Sequence, residues 1–249
     1  MSGHSKWATI KRAKGKNDAA RGKVFNRLIR EITIAAKMGG GDPDANPRLR
    51  SAIASARAQN MPNKNVDNAI QKGTGQLEGV TYEEITFEGY GPGGVAILIE
   101  TMTDNKNRTV AEVRHVLTKA GGNLGSTNSV GWMFHARGAI TVLKDAIGED
   151  DLMELVLEAG AEDMTVEDDC YSIATPPDTF SDVRDALDRT GIKPDSAELT
   201  KEPENSVKVE GEAAQKILRL VDALDDLDDT QHVYANCDIS DEDLAQYGS

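Results

Sequence analysis

The hydrophobic pattern changes from a helical period to an alternating one near Gly79, and this change restricts the folds open to the chain. Before it, apolar residues recur with the spacing of amphipathic helices, whereas segments after it alternate as strands do. Such an order predicts a helical module followed by domains that contain sheets. With 249 residues, the chain is long enough for two or three domains.

Three helices are predicted before Gly79. The first covers 18–38, with Asp18 as a candidate N-cap and the glycine run 39–41 at its end. The second covers about 47–59, and the third covers 62–72 and begins at a proline, which is favoured in the first helical turn. The N-terminal third of the chain is therefore predicted to be all-helical.

A mixed pattern of strands and helices follows Gly79. The first predicted elements are strands at 82–91 and 94–103, a helix at about 108–120 and a strand at 129–136. Residues 139–201 then show the order β-α-β-β-α-β, which is the split arrangement of a ferredoxin-like domain. The segment 206–238 supplies a further strand, helix and strand. We therefore expect a discontinuous middle domain that contains the ferredoxin-like domain as an insertion.

The predicted fold class is α+β multidomain, with an N-terminal three-helix domain and two α+β domains. The third domain (ferredoxin-like βαββαβ) is inserted into the second. The expected boundaries are 1–79 for the helical domain, 80–136 plus 204–240 for the discontinuous α+β domain, and 137–203 for the inserted domain.

The charge of the chain reverses between its N-terminal end and the rest. The first forty residues contain ten Lys or Arg and two acids, which gives +8, whereas the whole chain carries −14, so residues 41–249 carry −22. Each Lys or Arg placed on a phosphate releases a condensed counterion. A basic end on an acidic chain therefore predicts a polyanionic partner, either DNA or ribosomal RNA.

The candidate nucleic-acid-binding residues fall into three sets. A basic arm precedes the first helix and consists of Lys6, Lys11, Arg12, Lys14, Lys16 and Arg21. A basic stripe on one side of the first helix consists of Lys23, Arg27, Arg30 and Lys37. Arg50 and Arg57 share a face of the second helix and extend the candidate surface. A stripe of this kind can also be a solvated helix face, but few acids interleave with it, so phosphate contact is favoured.

Trp7 lies within the basic arm and has two open interpretations. Its ring could stack on an unpaired base, as single-stranded nucleic acids allow. It could equally anchor the N-terminal segment by burial. The sequence favours neither interpretation over the other.

Several classes of function find no support in the sequence. The four histidines and the two cysteines, Cys170 and Cys237, show no metal-ligand spacing, and we find no nucleophile–base pair. The glycines of 89–94 lack the spacing of a nucleotide-binding loop and are better explained by a hairpin turn. We therefore expect no catalytic residue, metal, cofactor or small-molecule substrate. Without a run of eighteen apolar residues or a signal peptide, we expect a cytoplasmic protein with no membrane partner.

Motifs spread along most of the chain resemble the YebC/PmpR family. They are Gly3-His4-Ser5-Lys6-Trp7, Arg21-Gly22-Lys23, Gly39-Gly40-Gly41-Asp42-Pro43, Asn46-Pro47-Arg48-Leu49, Gly89 to Gly94, Asn105-Lys106-Asn107-Arg108-Thr109-Val110 followed by Ala111-Glu112-Val113-Arg114, Lys119 to Gly125, and Trp132-Met133-Phe134. The resemblance implies three domains, one inserted in another, and no catalytic residues. This family includes a mitochondrial translational activator of cytochrome c oxidase subunit I.

Two functions are compatible with the basic end and with the resemblance. Members of the family are commonly assigned as cytoplasmic DNA-binding transcriptional regulators, and a helix that reads bases in a major groove would serve that role. The alternative is a ribosome-associated translation factor that binds ribosomal RNA and relieves stalled elongation, for example at consecutive prolines. A protein-interaction scaffold would leave the basic end unexplained. Charge alone predicts a phosphate-bearing partner without choosing between DNA and RNA.

Overall fold

The computed structural model describes residues 18–248, and their first part is helical. The three helices are α1 (Asp18–Gly39), α2 (Pro47–Ala58) and α3 (Asn63–Gly73). Their number and order confirm the prediction. Asn46 caps α2, because its side-chain oxygen accepts the Leu49 N–H at 3.1 Å, and its amide nitrogen donates to the Ala35 carbonyl at 2.8 Å. The Asn46 side chain thereby joins the start of α2 to α1.

Helices α1 and α3 pack closely because a glycine lies at their contact. A Cβ at Gly73 would overlap the Thr33 carbonyl oxygen and would lie 2.8 Å from the Ala36 Cβ. The core of the three helices consists mainly of small and branched side chains, with one methionine: Ile32, Ala35, Ala36, Leu49, Ala52, Ile53, Ala56, Met61, Val66 and Ala69. Small side chains allow the helix axes to approach one another, so this module is held together by close packing.

The next part of the chain builds a four-stranded antiparallel sheet. Its strands are β1 (Glu83–Tyr90), β2 (Ala96–Thr103), β3 (Asn123–Leu124) and, from the far end of the chain, β9 (Thr230–Ala235). Their order in the sheet is β3-β1-β2-β9. Two helices, α4 (Lys106–Lys119) and α7 (Gly211–Asp225), contribute to the apolar core of this sheet. Further elements are β8 (Val207–Val209), which pairs in parallel with β10 (Cys237–Ile239), and a final helix α8 (Asp241–Gly248).

Residues 134–203 form an antiparallel sheet with two helices. The elements are β4 (Phe134–Leu143), α5 (Glu149–Glu158), β5 (Asp163–Val166), β6 (Cys170–Thr175), α6 (Phe180–Arg189) and β7 (Ser196–Pro203). The sheet order is β5-β6-β4-β7, which is the order of a ferredoxin-like fold. Its core contains the fully buried side chains of Ile140, Leu152, Val156, Val183 and Leu187. The chain is thus α+β, with a helical N-terminal region followed by sheet-containing domains.

The described residues separate into two compact units. One unit covers 132–206, and the other covers 18–131 together with 207–248. The sequence suggested separate strands at 129–136 and 139–143, but the structure has a single strand, Phe134–Leu143, preceded by a short 3₁₀ helix. A two-residue strand such as β3 is too short for a periodicity to reveal. The division into three domains with the boundaries given above stays a prediction.

A buried carboxylate organises the loop that precedes this 3₁₀ helix. Glu88 accepts the backbone N–H groups of Asn128 and Val130 at 2.7 Å and that of Gly131 at 2.6 Å. Burial acts to raise the pKa of Glu88, but these donors outweigh it, so the pKa lies below its ordinary value. The loop is therefore tied to strand β1 by charge-assisted hydrogen bonds.

We predict that Gly73→Ala destabilises the helical module. The added methyl group has no free volume beside Thr33 and Ala36, so we expect a loss of about 2 kcal/mol in the free energy of unfolding. Gly22→Ala is the matched control, because Gly22 lies in α1 with no heavy atom within 4 Å of its added Cβ. That control should be stabilised by up to about 1 kcal/mol. Urea titration measures both variants, and equal effects would show that α1 and α3 do not pack as described.

Candidate nucleic-acid interface

The basic stripe on α1 meets a run of acids from the far end of the chain. This run, the acidic turn, comprises residues 225–229, from the last residue of α7 to the residue before β9, and contains four aspartates. Lys23 Nζ lies 2.7 Å from an Asp226 carboxylate oxygen. Arg27 Nη2 lies 3.3 Å from a carboxylate oxygen of Asp225 and also donates to that residue's carbonyl. Two neighbouring cations of the stripe are thus neutralised within the same chain.

Arg30 continues this contact at the end of the turn. Its Nη2 lies 3.1 Å from Asp229 Oδ1, and its Nη1 donates to the Asp228 carbonyl. The guanidinium carbon also lies 5.4 Å from the centre of the Tyr82 ring, which suits a cation–π contact. Only 14% of the Arg30 side chain is exposed, so this residue is an interior ion-pair partner.

Asp229 is the centre of the polar network and its side chain is 1% exposed. Its Oδ2 accepts hydrogen bonds from the hydroxyl groups of Thr103 at 2.9 Å and Thr109 at 2.7 Å. Arg108 Nη2 lies 2.7 Å from the same oxygen. One carboxylate therefore joins α1, the end of β2, the first turn of α4 and the acidic turn.

The surroundings of Asp229 favour its ionised form. Burial acts to raise the pKa of Asp229. The hydrogen bonds from Arg108, Thr109 and Thr103, together with the charge of Arg30, lower the pKa by more than burial raises it, so it lies below its ordinary value. The same contact raises the pKa of Arg108 above its ordinary value, with Asp104 adding to the effect. The network therefore stays charged at neutral pH.

The acidic turn corrects one step of the sequence reasoning. Few acids interleave with the stripe along α1, and on that ground the sequence alone favours phosphate contact over pairing with acids. The acids instead come from about two hundred residues later in the chain. The exposed fraction falls from 44% for the Lys23 side chain to 23% for Arg27 and 14% for Arg30. Phosphate contact by these three residues stays a prediction.

The remaining candidate residues are more open. Lys37 and Arg57 are exposed, and neither has an ion-pair partner among residues 18–248. Arg50 is also exposed and donates to the carbonyls of Pro43 and Asp44. Lys6, Trp7, Lys11, Arg12, Lys14 and Lys16 lie outside the described residues, as does the side chain of Arg21.

Arg48 is a structural cation that the charge pattern did not single out. Its guanidinium lies 2.7 Å from Glu31 on α1 and 2.6 Å from Glu84 on β1. The hydrogen bond with Glu31 is the main reason why the pKa of Arg48 is raised, although burial opposes it. Arg48 therefore fastens α1, α2 and β1 to one another. The only sequence signal for this role of Arg48 was its place in Asn46–Leu49, one of the motifs that carry the family resemblance.

Residues 18–248 contain no group of three or more His, Cys, Asp or Glu side chains placed to hold a metal ion. Within the same range, no helix combines the length and the apolar character needed to cross a membrane.

The fold is that of a multidomain α+β protein whose helical N-terminal module carries the cations considered above. The family model described as the TACO1/YebC N-terminal domain matches residues 5–76, and the model of the TACO1/YebC second and third domain matches residues 82–237. The chain belongs to the TACO1/YebC family, which confirms the resemblance found in the sequence.

Several relatives carry the name "probable transcriptional regulatory protein". The relative from Desulforapulum autotrophicum is 59% identical over 97% of this chain and 98% of its own length. The one from Geobacter sulfurreducens is 55% identical over 98% of both chains. The crystal structure of a conserved hypothetical protein, Aq1575 from Aquifex aeolicus, matches with a TM-score of 0.82 and 45% identity, over 90% of this chain and 93% of that chain. The names of the curated relatives support transcription regulation.

We predict that Asp229→Ala destabilises the protein by about 3 kcal/mol, because it removes a buried carboxylate that two arginines and two buried hydroxyl groups share as a partner. Asp226→Asn is the control in the same turn. Its side chain is 73% exposed, so its loss should cost less than about 1 kcal/mol. Urea unfolding at neutral pH measures both variants. Similar losses for the two variants would contradict the central role of Asp229.

The same network predicts a dependence of stability on pH. Because the pKa of Asp229 is lowered in the folded state, its stabilisation is complete above the ordinary Asp pKa of about 3.9 and is lost as the pH falls through the lower folded value. Asp229→Asn should therefore flatten the acid limb of the stability curve. Thermal unfolding followed across the acid range measures this, and an unchanged acid limb would contradict the assignment.

Proposed function

We propose that this chain is a cytoplasmic nucleic-acid-binding regulator that acts by binding, without catalysis. The observation that carries this proposal is the concentration of positive charge in the helical end of an acidic chain. Through residue 80 there are fifteen basic residues and six acids, while the whole chain carries −14. This charge distribution attracts phosphates to one end and repels them elsewhere.

The helical module would bind the phosphate backbone in two parts. The exposed cations Lys37 and Arg57 have no ion-pair partner among the described residues, and together with the basic arm they would make the first contacts. Lys23, Arg27 and Arg30 would join only by exchanging a carboxylate for a phosphate. Both anions use the planar donor groups of Arg, so the acidic turn competes with nucleic acid for the same donors.

The relatives' names fit transcription regulation. Proteins more than half identical to this chain over nearly its whole length are named "probable transcriptional regulatory protein", and we take a DNA-binding transcriptional regulator as the first form of the proposal. In this form the helical module would hold the duplex by its backbone.

One structural observation favours ribosomal RNA as the second form. Helix α1, which carries the basic stripe, turns Arg27 and Arg30 towards the acidic turn and leaves them less than one quarter exposed. A recognition helix in a major groove would need such side chains free to reach base edges. Binding of structured RNA through shape and phosphates has no such requirement, which suits a ribosome-associated translation factor.

Binding measurements separate these forms. We expect wild type to bind a mixed-sequence duplex DNA or to co-sediment with ribosomes at about 150 mM salt. Lys37→Ala with Arg57→Ala should weaken that binding by roughly tenfold through the loss of two phosphate contacts. The control is Lys193→Ala with Arg219→Ala, which removes the same charge from exposed sites elsewhere.

Each result has a distinct meaning. Retention on ribosomes without binding to duplex DNA would exclude the transcriptional form. Tight, sequence-selective DNA binding without ribosome retention would exclude the translational form. Absence of binding to both partners would overturn the proposed function.

The competition by the acidic turn has its own test. Asp225→Asn with Asp226→Asn should free Lys23 and Arg27 for phosphate and tighten nucleic-acid binding by roughly tenfold. Asp168→Asn with Asp169→Asn is the matched control, since it neutralises an adjacent exposed pair in the turn between β5 and β6. Fluorescence anisotropy with one labelled duplex measures all three proteins. Equal affinities for the two double variants would show that only net charge matters.

A further inference from the structure

Helix α4 carries all the positive side chains of the first part of the sheet domain. Between residues 80 and 131 there are four Lys or Arg, and all of them lie on this helix: Lys106, Arg108, Arg114 and Lys119. The helix contains a single acid, Glu112. In a region that is otherwise acidic, α4 is therefore a separate concentration of positive charge outside the N-terminal module.

One side of α4 is buried and the other is open. Thr109, Val113 and Leu117 are buried, and the last two pack in the core of the sheet. We call the opposite side the α4 face, and all its residues are exposed: Asn107, Ala111, Arg114, His115, Thr118 and Lys119. Arg114 and Lys119 have no ion-pair partner among the residues that the structure describes. Their charges are therefore available to an outside partner, unlike those of Arg27 and Arg30.

The α4 face is bordered by cations and has small side chains at its centre. With 3.6 residues per turn, Arg114 and Lys119 fall on opposite edges, while Ala111 and Thr118 lie between them. Short central side chains allow a polymer backbone to approach the helix closely. Arg114 and Lys119, at the two edges of the face, can then reach phosphates on either side of the approaching backbone.

The start of α4 is held rigidly. Asn105 caps it by accepting the Arg108 N–H at 3.2 Å, and the Arg108 guanidinium lies 2.7 Å from both Asp104 and the buried Asp229. Gly121 has a φ of 82° just after the helix, a conformation that suits a glycine at a helix end. A partner would therefore bind a preformed face, which lowers the cost of ordering on binding.

We propose that the α4 face binds double-stranded RNA across its minor groove. The minor groove of A-form RNA is wide and shallow and displays 2′-hydroxyl groups, which Asn107, His115 and Thr118 can meet with hydrogen bonds. Arg114 and Lys119 would bind the phosphates on either side. This inference rests on the proposed function in its RNA form and adds a second contact surface, in a different part of the fold from the basic arm.

The test compares matched double variants on matched nucleic acids. Arg114→Ala with Lys119→Ala is measured beside Lys193→Ala with Arg219→Ala, which removes the same charge from exposed residues outside α4. The probes are a stem–loop RNA and a duplex DNA of the same stem sequence. Between about 50 and 200 mM salt, the α4 variant should bind the RNA roughly tenfold more weakly, and its salt slope should be smaller by about two. The control variant should keep the wild-type slope.

A position-specific measurement supports the test if the double variant folds poorly. A photo-crosslinking amino acid at Thr118 should react with the stem–loop RNA, whereas the same group at Lys193 should not. If wild type binds RNA but the α4 variant matches the control and Thr118 does not crosslink, the inference is wrong and the proposed function stands. Equal losses on RNA and DNA would overturn the assignment to duplex RNA. If wild type binds no nucleic acid, the proposed function itself fails.

Discussion

A single buried carboxylate holds together elements from both ends of the chain. Asp229 receives Arg30 from α1, Thr103 from β2, and Thr109 and Arg108 from α4. Burying a charge is costly unless opposite charges and hydrogen bonds compensate for it. Here the two arginines supply the opposite charges, and the two threonine hydroxyl groups supply hydrogen bonds. The position of the helical module on the sheet domain, and the rigid start of α4, both depend on this network.

The acidic turn also changes the meaning of the basic stripe. A row of cations on a helix at first suggests an open phosphate-binding surface, yet Lys23, Arg27 and Arg30 already have anionic partners in the same chain. Among the described residues, the module therefore contains cations that are already ion-paired and cations that are exposed without an ion-pair partner. Lys37 and Arg57 belong to the second group, and the α4 face adds exposed cations in another part of the fold. Under the proposed function, affinity for nucleic acid reflects the balance between these two groups.

Much of the architecture could be predicted because it depends on short-range patterns. The three helices follow from apolar spacing and from glycine and proline signals, and the β-α-β-β-α-β order follows from alternation and turn residues. The sequence predicts two strands where the structure has the single strand Phe134–Leu143, because Arg137 and Gly138 interrupt the apolar pattern. At the candidate site, Lys37 and Arg57 are exposed as expected. The ion pairs of Arg27 and Arg30 with the acidic turn had no local signal, and the only signal for Arg48 was its place in the Asn46–Leu49 motif.

The sequence by itself determined the elements, their order and the end of the chain where positive charge collects, because periodicity and composition are properties of neighbouring residues. Only the tertiary structure decided which of those charges remain available. Arg30 and Asp229 are separated by about two hundred residues, and their contact arises when β9 joins the sheet beside β2 and brings the acidic turn to α1. Ion pairing between distant segments depends on such placement, so the charge pattern could predict a phosphate-binding end without showing which cations would be free to bind.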